Sequence, residues 1–203
     1  MNKQANNILI KAAKEWNTLL NKQLIITYGY KRQLNKIILK FNESDFYHLA
    51  GFHKLTDTRF PKYLKPNKLL HNILENTITL DYISKSIHFN EILPRLNVLS
   101  NINEIIKNDF SLFYFRPQML YSFSSNIKAE YIITSNIRPY SYVFLIHTND
   151  KVQKDDLTFV CISVFEKETN DFTENQRQRI ILKKELINTK NNSSIILFDK
   201  LNG

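Results

Sequence analysis

Glycine is scarce in this chain, with three in 203 residues. A loop that cradles phosphate with backbone N–H groups needs glycines close together. Neither GxxxxGK[ST] nor GxGxxG occurs, so P-loop and dinucleotide-fold chemistry are set aside. The single cysteine, Cys161, excludes an intrachain disulfide framework and a thiolate zinc cluster. It lies in the apolar run TFVCISVF, where a buried structural thiol is expected rather than a nucleophile. HExxH is absent, and Asp45, His48, His53 and Asp57 match no standard metal spacing. A two-metal nuclease wants clustered carboxylates, but the EKE at 166–168 reads as the solvated end of a strand. No apolar run approaches the roughly 20 residues that span a bilayer. The opening MNKQANNILIKAAKEW lacks a signal-peptide core and an obvious cleavage site. The expectation is a cytoplasmic protein without membrane contact, cofactor or metal.

What is present is enough to fold and is strongly basic. Hydrophobic residues make up 43% and aromatics 12%, which supports a real core. Lys and Arg number 28 against 19 Asp and Glu, a net charge of +9 that favours a polyanionic partner. Heavy use of Asn, Lys and Ile is also what a low-GC genome produces, so charge alone decides little.

The pattern along the chain changes period near its middle. Residues 3–22 place Ile8, Ala12, Trp16, Leu19 and Leu20 on one helical stripe. Residues 23–41 read as two strands around a basic turn at Lys31–Gln33. Asn42 and Asp45 form an N-cap pair for the next helix, and Pro66 and Thr79 open two more. The piece from His88 to Asn108 is expected to break or kink at Pro94. Beyond Asp109 the period becomes two, with six candidate strands: FSLFYFRP, KAEYIITSN, YSYVFLIHT, TFVCISVF, RIILKKELI and SIILFDK. The expected fold is therefore α+β, a helical N-terminal half followed by an antiparallel sheet. Residues 1–41, a helix and hairpin, are expected to belong to the same domain as residues 42–203, with a helical insert at 61–108. The basic and apolar alternation of RQRIILKKELINTK predicts a strand with one wet, basic face.

DFYHLAGFHKLTDTRF, residues 45–60, carries the densest chemistry. On an ideal helix His48 and His53 point about 140° apart, so they serve one reacting atom only if the helix breaks near Gly51. An interior glycine costs about 1 kcal/mol relative to alanine and often marks a close approach of backbone or ligand. Either His48 is a general acid or base with Lys54 and Arg59 supplying charge to a phosphate, or it is a hydrogen-bonded helix histidine beside a solvated lysine.

The string FYHLAGFHKL, with the helical stretch NKLLHNILENTITLDYISKS and the strand-rich half after it, resembles the phage-linked nucleases of the Barnase–EndoU–colicin–RelE (BECR) group. His48, Leu49, Gly51 and Lys54–Leu55 carry the resemblance to a HLxGLxKL-like motif, with Phe52 and His53 varying it. The resemblance spans roughly residues 40–200. It implies a metal-independent, RNase-like fold whose histidine and basic residues come from both helix and sheet.

Cleaving RNA through its own 2′-hydroxyl needs a base, an acid for the leaving oxygen and cations for the developing charge. His48, Lys54 and Arg138 are the expected catalytic residues. Arg59, Arg116, Tyr140 and Tyr142 are the expected substrate contacts, the tyrosines as a platform for an unstacked base. The same aromatics also read as one strand face packed on helices. The leading expectation is a phage or mobile-element RNase, acting as a toxin or effector, with an antitoxin or host protein as a possible partner. Alternatives are a non-catalytic protein that binds nucleic acid or blocks a host nucleic-acid-binding protein, and a transferase acting on a nucleotide cofactor or tRNA.

Overall fold

The structure is a computed structural model that describes residues 5–148 and 157–202. The opening helix is α1 (Ala5–Asn17); residues 3–4 of the expected helix lie outside the described residues. A hairpin follows, β1 (Lys22–Tyr30) and β2 (Gln33–Lys40), turned at Lys31 and Arg32, both at positive φ. Short helices occupy the next stretch: α2 (Asp45–Leu49), α3 (Phe60–Tyr63), α4 (Pro66–Leu74), α5 (Leu80–Ile83), α6 (Phe89–Leu99) and α7 (Ile102–Lys107). Then come β3 (Phe110–Tyr114), β4 (Tyr131–Ser135), β5 (Ser141–His147), β6 (Leu157–Glu166), β7 (Arg177–Asn188) and β8 (Ser194–Asp199).

All six strands expected after Asp109 are present, but the architecture differs from a helical half followed by an antiparallel sheet. The strand order is β1-β2-β6-β5-β4-β3-β7-β8, and β1 also pairs with β7. Seven strands therefore close into a barrel, with β8 added outside the ring. The sheet is mixed, because β2 pairs with β6 in parallel. The physical reason for the correction is partner choice. Periodicity marks β1 and β2 as a hairpin, but not that β1 lies along β7 and β2 along β6. Those two long-range pairings make the N-terminal hairpin part of the barrel wall, so strands lie on both sides of the helices in sequence.

Leu24, Ile26 and Tyr28 of β1, Ile37 and Leu39 of β2, Leu112, Tyr131, Ile133, Val143 and Leu145 share one core with the helices. Trp16 anchors the helical layer. Its ring meets Phe41 edge-on at 5.6 Å, and its Nε1 donates to the Asn42 carbonyl at 3.0 Å. Helix α6 runs through Pro94 rather than ending there. Thr79 caps α5 as expected, its Oγ1 accepting from Tyr82 N at 3.2 Å. Cys161 is buried, which pushes its thiol far above the usual range.

The opposite face of β4 and β5 forms a second cluster, with Ile132, Tyr142 and Phe144 packed on Phe115, Phe165 and Phe172. Tyr142 is fully buried and its hydroxyl donates to Asp171 Oδ1 at 3.0 Å. Tyr142→Phe keeps the ring and loses the hydroxyl, which also reaches the Asn170 carbonyl at 3.4 Å. It should lower stability by about 1–2 kcal/mol, read as an earlier urea midpoint at unchanged slope.

Candidate active site

Strand β2 ends at Lys40, so its pairing with β6 stops at Val160. Beyond that point α2 and α6 pack against β6 in place of a neighbouring strand. A cleft of about 390 Å³ opens there, lined by Asp45, His48, His53 and Arg95 with Val160–Ser163 of β6 as its floor.

Gly51 shapes this cleft. Its φ of 80° ends α2, and the chain continues in a 3-10 turn over Phe52–Lys54. The reversal cancels the divergence expected on a continuous helix and brings the His48 and His53 rings to 5.3 Å between centroids. A Cβ on Gly51 would meet Ile92 Cγ2 at 2.9 Å and Arg95 Cδ at 3.0 Å. The missing side chain therefore also lets α6 bring Arg95 to the imidazoles.

Burial lowers the His53 pKa below its ordinary value, and the neighbouring charges of His48, Arg95 and Lys54 lower it further. A charge on His48 thus adds to the bias of His53 toward its neutral form. Arg95 is partly buried; its Nη1 donates to Ser163 Oγ at 3.4 Å, and its guanidinium lies 6.0 Å from the Phe165 ring centre. Among the described residues no carboxylate pairs with it, so the guanidinium is open to an anion. Burial raises the Asp45 pKa, against the hydrogen bonds that its Oδ2 accepts from Asn42 N and Nδ2.

The depressed His53 pKa has a sign for stability. Between the ordinary value of 6.5 and the lowered one, the unfolded chain holds a proton that the folded chain lacks. Stability present above pH 6.5 is therefore lost as pH falls through that window, and the loss levels off below the folded-state pKa. Asp45 acts in the opposite sense, because its folded-state pKa is raised. Urea titrations of wild type and His53→Gln from pH 7 to pH 5 should show the variant losing less stability on acidification. Parallel curves would mean that His53 titrates as it does in the unfolded chain.

The other expected residues are dispersed. Lys54 faces a neighbouring cavity and is bound to Glu91 at 3.3 Å, with His88 on the other carboxylate oxygen at 2.8 Å. Arg59 is exposed at the start of α3. Arg116 follows β3, with its guanidinium 5.3 Å from the Tyr114 ring centre. Arg138 is exposed in the β4–β5 connection beside Tyr140, which is 51% exposed. Neither lines the His48 cleft. His147 pairs with Glu130 at the far end of β5. Asp57 accepts from Ser86 Oγ and Ile87 N, and is occupied there.

Sequence reasoning missed Arg95, whose neighbour Pro94 drew attention as a helix breaker. A usable signal exists: Arg95 is the one cation in the run ILPRLNVL, at the edge of the Ile92–Leu96–Leu99 stripe.

Two imidazoles on one cleft beside a guanidinium without a carboxylate partner suit phosphodiester chemistry, and the whole-chain comparison agrees. Residues 8–201 match the family model for phage Barnase–EndoU–ColicinE5/D–RelE-like nuclease 4. The chain belongs to this phage BECR-like nuclease family. Membership carries a nuclease-like role and points to a nucleic-acid substrate. No curated protein and no solved structure matches the chain. Among the described residues, no helix is long and apolar enough to cross a membrane.

Proposed function

We propose that this BECR-family protein is an endoribonuclease that cleaves RNA by attack of the 2′-hydroxyl on the adjacent phosphorus. The observation that carries the reading is the 5.3 Å approach of His48 and His53 on one cleft with Arg95. His53, biased toward its neutral form, takes the 2′-hydroxyl proton. The new O2′–P bond forms as the P–O5′ bond breaks, and His48 delivers a proton to the departing 5′ oxygen. Arg95 balances the charge gathering on the non-bridging oxygens. The products are a 2′,3′-cyclic phosphate and a free 5′-hydroxyl.

Every proton and charge in this scheme is handled by a side chain, so the reaction should proceed in excess EDTA. An RNA strand in which one nucleotide keeps its 2′-hydroxyl and the rest are 2′-deoxy provides the test. Cleavage only after that nucleotide, with a cyclic phosphate end identified by mass spectrometry, is the expected result. Cleavage at deoxy positions, or dependence on an added divalent cation, would overturn the scheme.

A further inference from the structure

The sequence predicts that strand β7 holds its basic residues in water; Arg177 is exposed, but Arg179 and Lys184 are buried. Across β1, inward-facing Leu24, Ile26 and Tyr28 oppose Leu186, Lys184 and Ile181, while across β3, Leu112 opposes Arg179. A bulge between Lys183 and Ile181 shifts the alternation and brings both cations inward. Arg179 is 6% exposed and Lys184 is 2% exposed, whereas Ile180 is 68% exposed.

Buried cations are normally paired with carboxylates. These two are not, among the described residues. Arg179 stacks on Tyr30 at 3.9 Å and lies 5.2 Å from the Tyr114 ring centre, and its buried Nε has no hydrogen-bond partner. Lys184 Nζ donates to the Asn108 carbonyl at 2.6 Å and sits 4.4 Å from the Phe110 ring centre. Burial lowers its pKa, against the raising effect of Asp109.

A gap in the barrel wall reaches these groups. On the edge of β7 away from β1, β3 pairs only with Arg177–Arg179, and β8 pairs from Lys183 onward. Between them lies a cavity of about 310 Å³, lined by Asp109, Phe110, Arg179, Lys184, Phe198 and Lys200 among others. Three cations face one carboxylate there. This volume is at the lower end of small-molecule sites and suits a compact group rather than a length of strand. In the closed ring β7 is separated from β6 by β1 and β2 on one side, so this cavity is distinct from the His48 cleft.

We propose that the β3–β7–β8 cavity is a second anion site, which binds a phosphoryl group through Arg179, Lys184 and Lys200. The Arg179 guanidinium, which has no carboxylate partner among the described residues, and the Lys184 and Lys200 ammonium groups supply the positive charge that a phosphoryl group meets in this cavity. The site stands apart from the cleavage chemistry and does not depend on it.

Binding is read by isothermal titration and by the phosphate-dependent rise in melting temperature. The probes are inorganic phosphate, adenosine 5′-monophosphate and a short single-stranded DNA, and the protein is the full chain carrying His48→Ala. Phosphate and the nucleotide should both bind. Lys200→Glu, a change at an exposed position, should weaken binding about tenfold, and Arg179→Gln by more. Should Arg179→Gln fail to fold, Lys200→Glu still decides the matter. DNA that competes with phosphate identifies a strand as the source of the group; DNA that does not compete identifies a free phosphate ester. Saturation absent at about 10 mM phosphate or nucleotide, or unchanged binding in Lys200→Glu, overturns the proposal. Loss of RNA cleavage in His48→Ala leaves this result untouched, so the two readings fail separately.

Discussion

His53→Ala and His48→Ala should each slow RNA cleavage by about 10²–10⁴-fold, and the double variant should be little slower than the worse single one. The two rings lie 5.3 Å apart on one cleft and are assigned complementary proton roles, so they are expected to act as a unit. Removing either leaves the other without its complement, and additivity is not expected. Single-turnover cleavage of a labelled RNA in EDTA gives the numbers. The wild-type rate should trace a bell against pH, whose acid limb belongs to a base with a pKa below the ordinary imidazole value. His53→Ala should erase that limb. Both histidines keep exposed surface, His53 being partly shielded, and neither belongs to a buried core cluster, so neither truncation opens a core cavity. An undiminished rate in either single variant would take that imidazole out of the mechanism.

Gly51→Ala should destabilise the fold by about 2–5 kcal/mol, from two separate costs. A left-handed backbone costs a residue with a Cβ roughly 1–2 kcal/mol. Forcing a methyl group into a packed contact costs about 1–3 kcal/mol. Gly51 incurs both, with φ at 80° and the added Cβ 2.9 Å from Ile92 Cγ2. Its other contact is Arg95 Cδ at 3.0 Å, so relief of the clash moves the guanidinium away from the imidazoles. Cleavage should therefore fall even at temperatures where the variant remains folded. A urea midpoint indistinguishable from wild type would mean that α2 can end without a left-handed residue.

Much of the secondary structure was legible because it is local. Proline at the start of α4, threonine before α5, and β-branched residues at period two act over a few neighbours. The barrel was not legible, because its closure rests on β1 with β7 and β2 with β6, pairings between segments over a hundred residues apart in sequence. The candidate site shows the same division. His48 and Gly51 stood out from the motif itself, and so did the condition that would unite the histidines, a break at Gly51. Arg95 arrives from another helix and Ser163 from a strand, and neither has a local mark of its role. The basic face of β7 misled for a related reason. Alternation tells which residues share a face, but not whether that face looks outward or into the ring, and a bulge changes the count.

The closure of the ring also sets an order of events as the chain folds. Strand β1 lies between β2 and β7, and more than 140 residues separate β1 from β7 in sequence. Loop entropy must be overcome before such distant contacts contribute, which makes folding slow for topologies dominated by them. The cleft floor, Val160–Ser163, likewise trails His48 by more than a hundred residues. A chain synthesised only as far as α7 therefore holds both histidines without that floor, and the cleft is assembled only once β6 has been made.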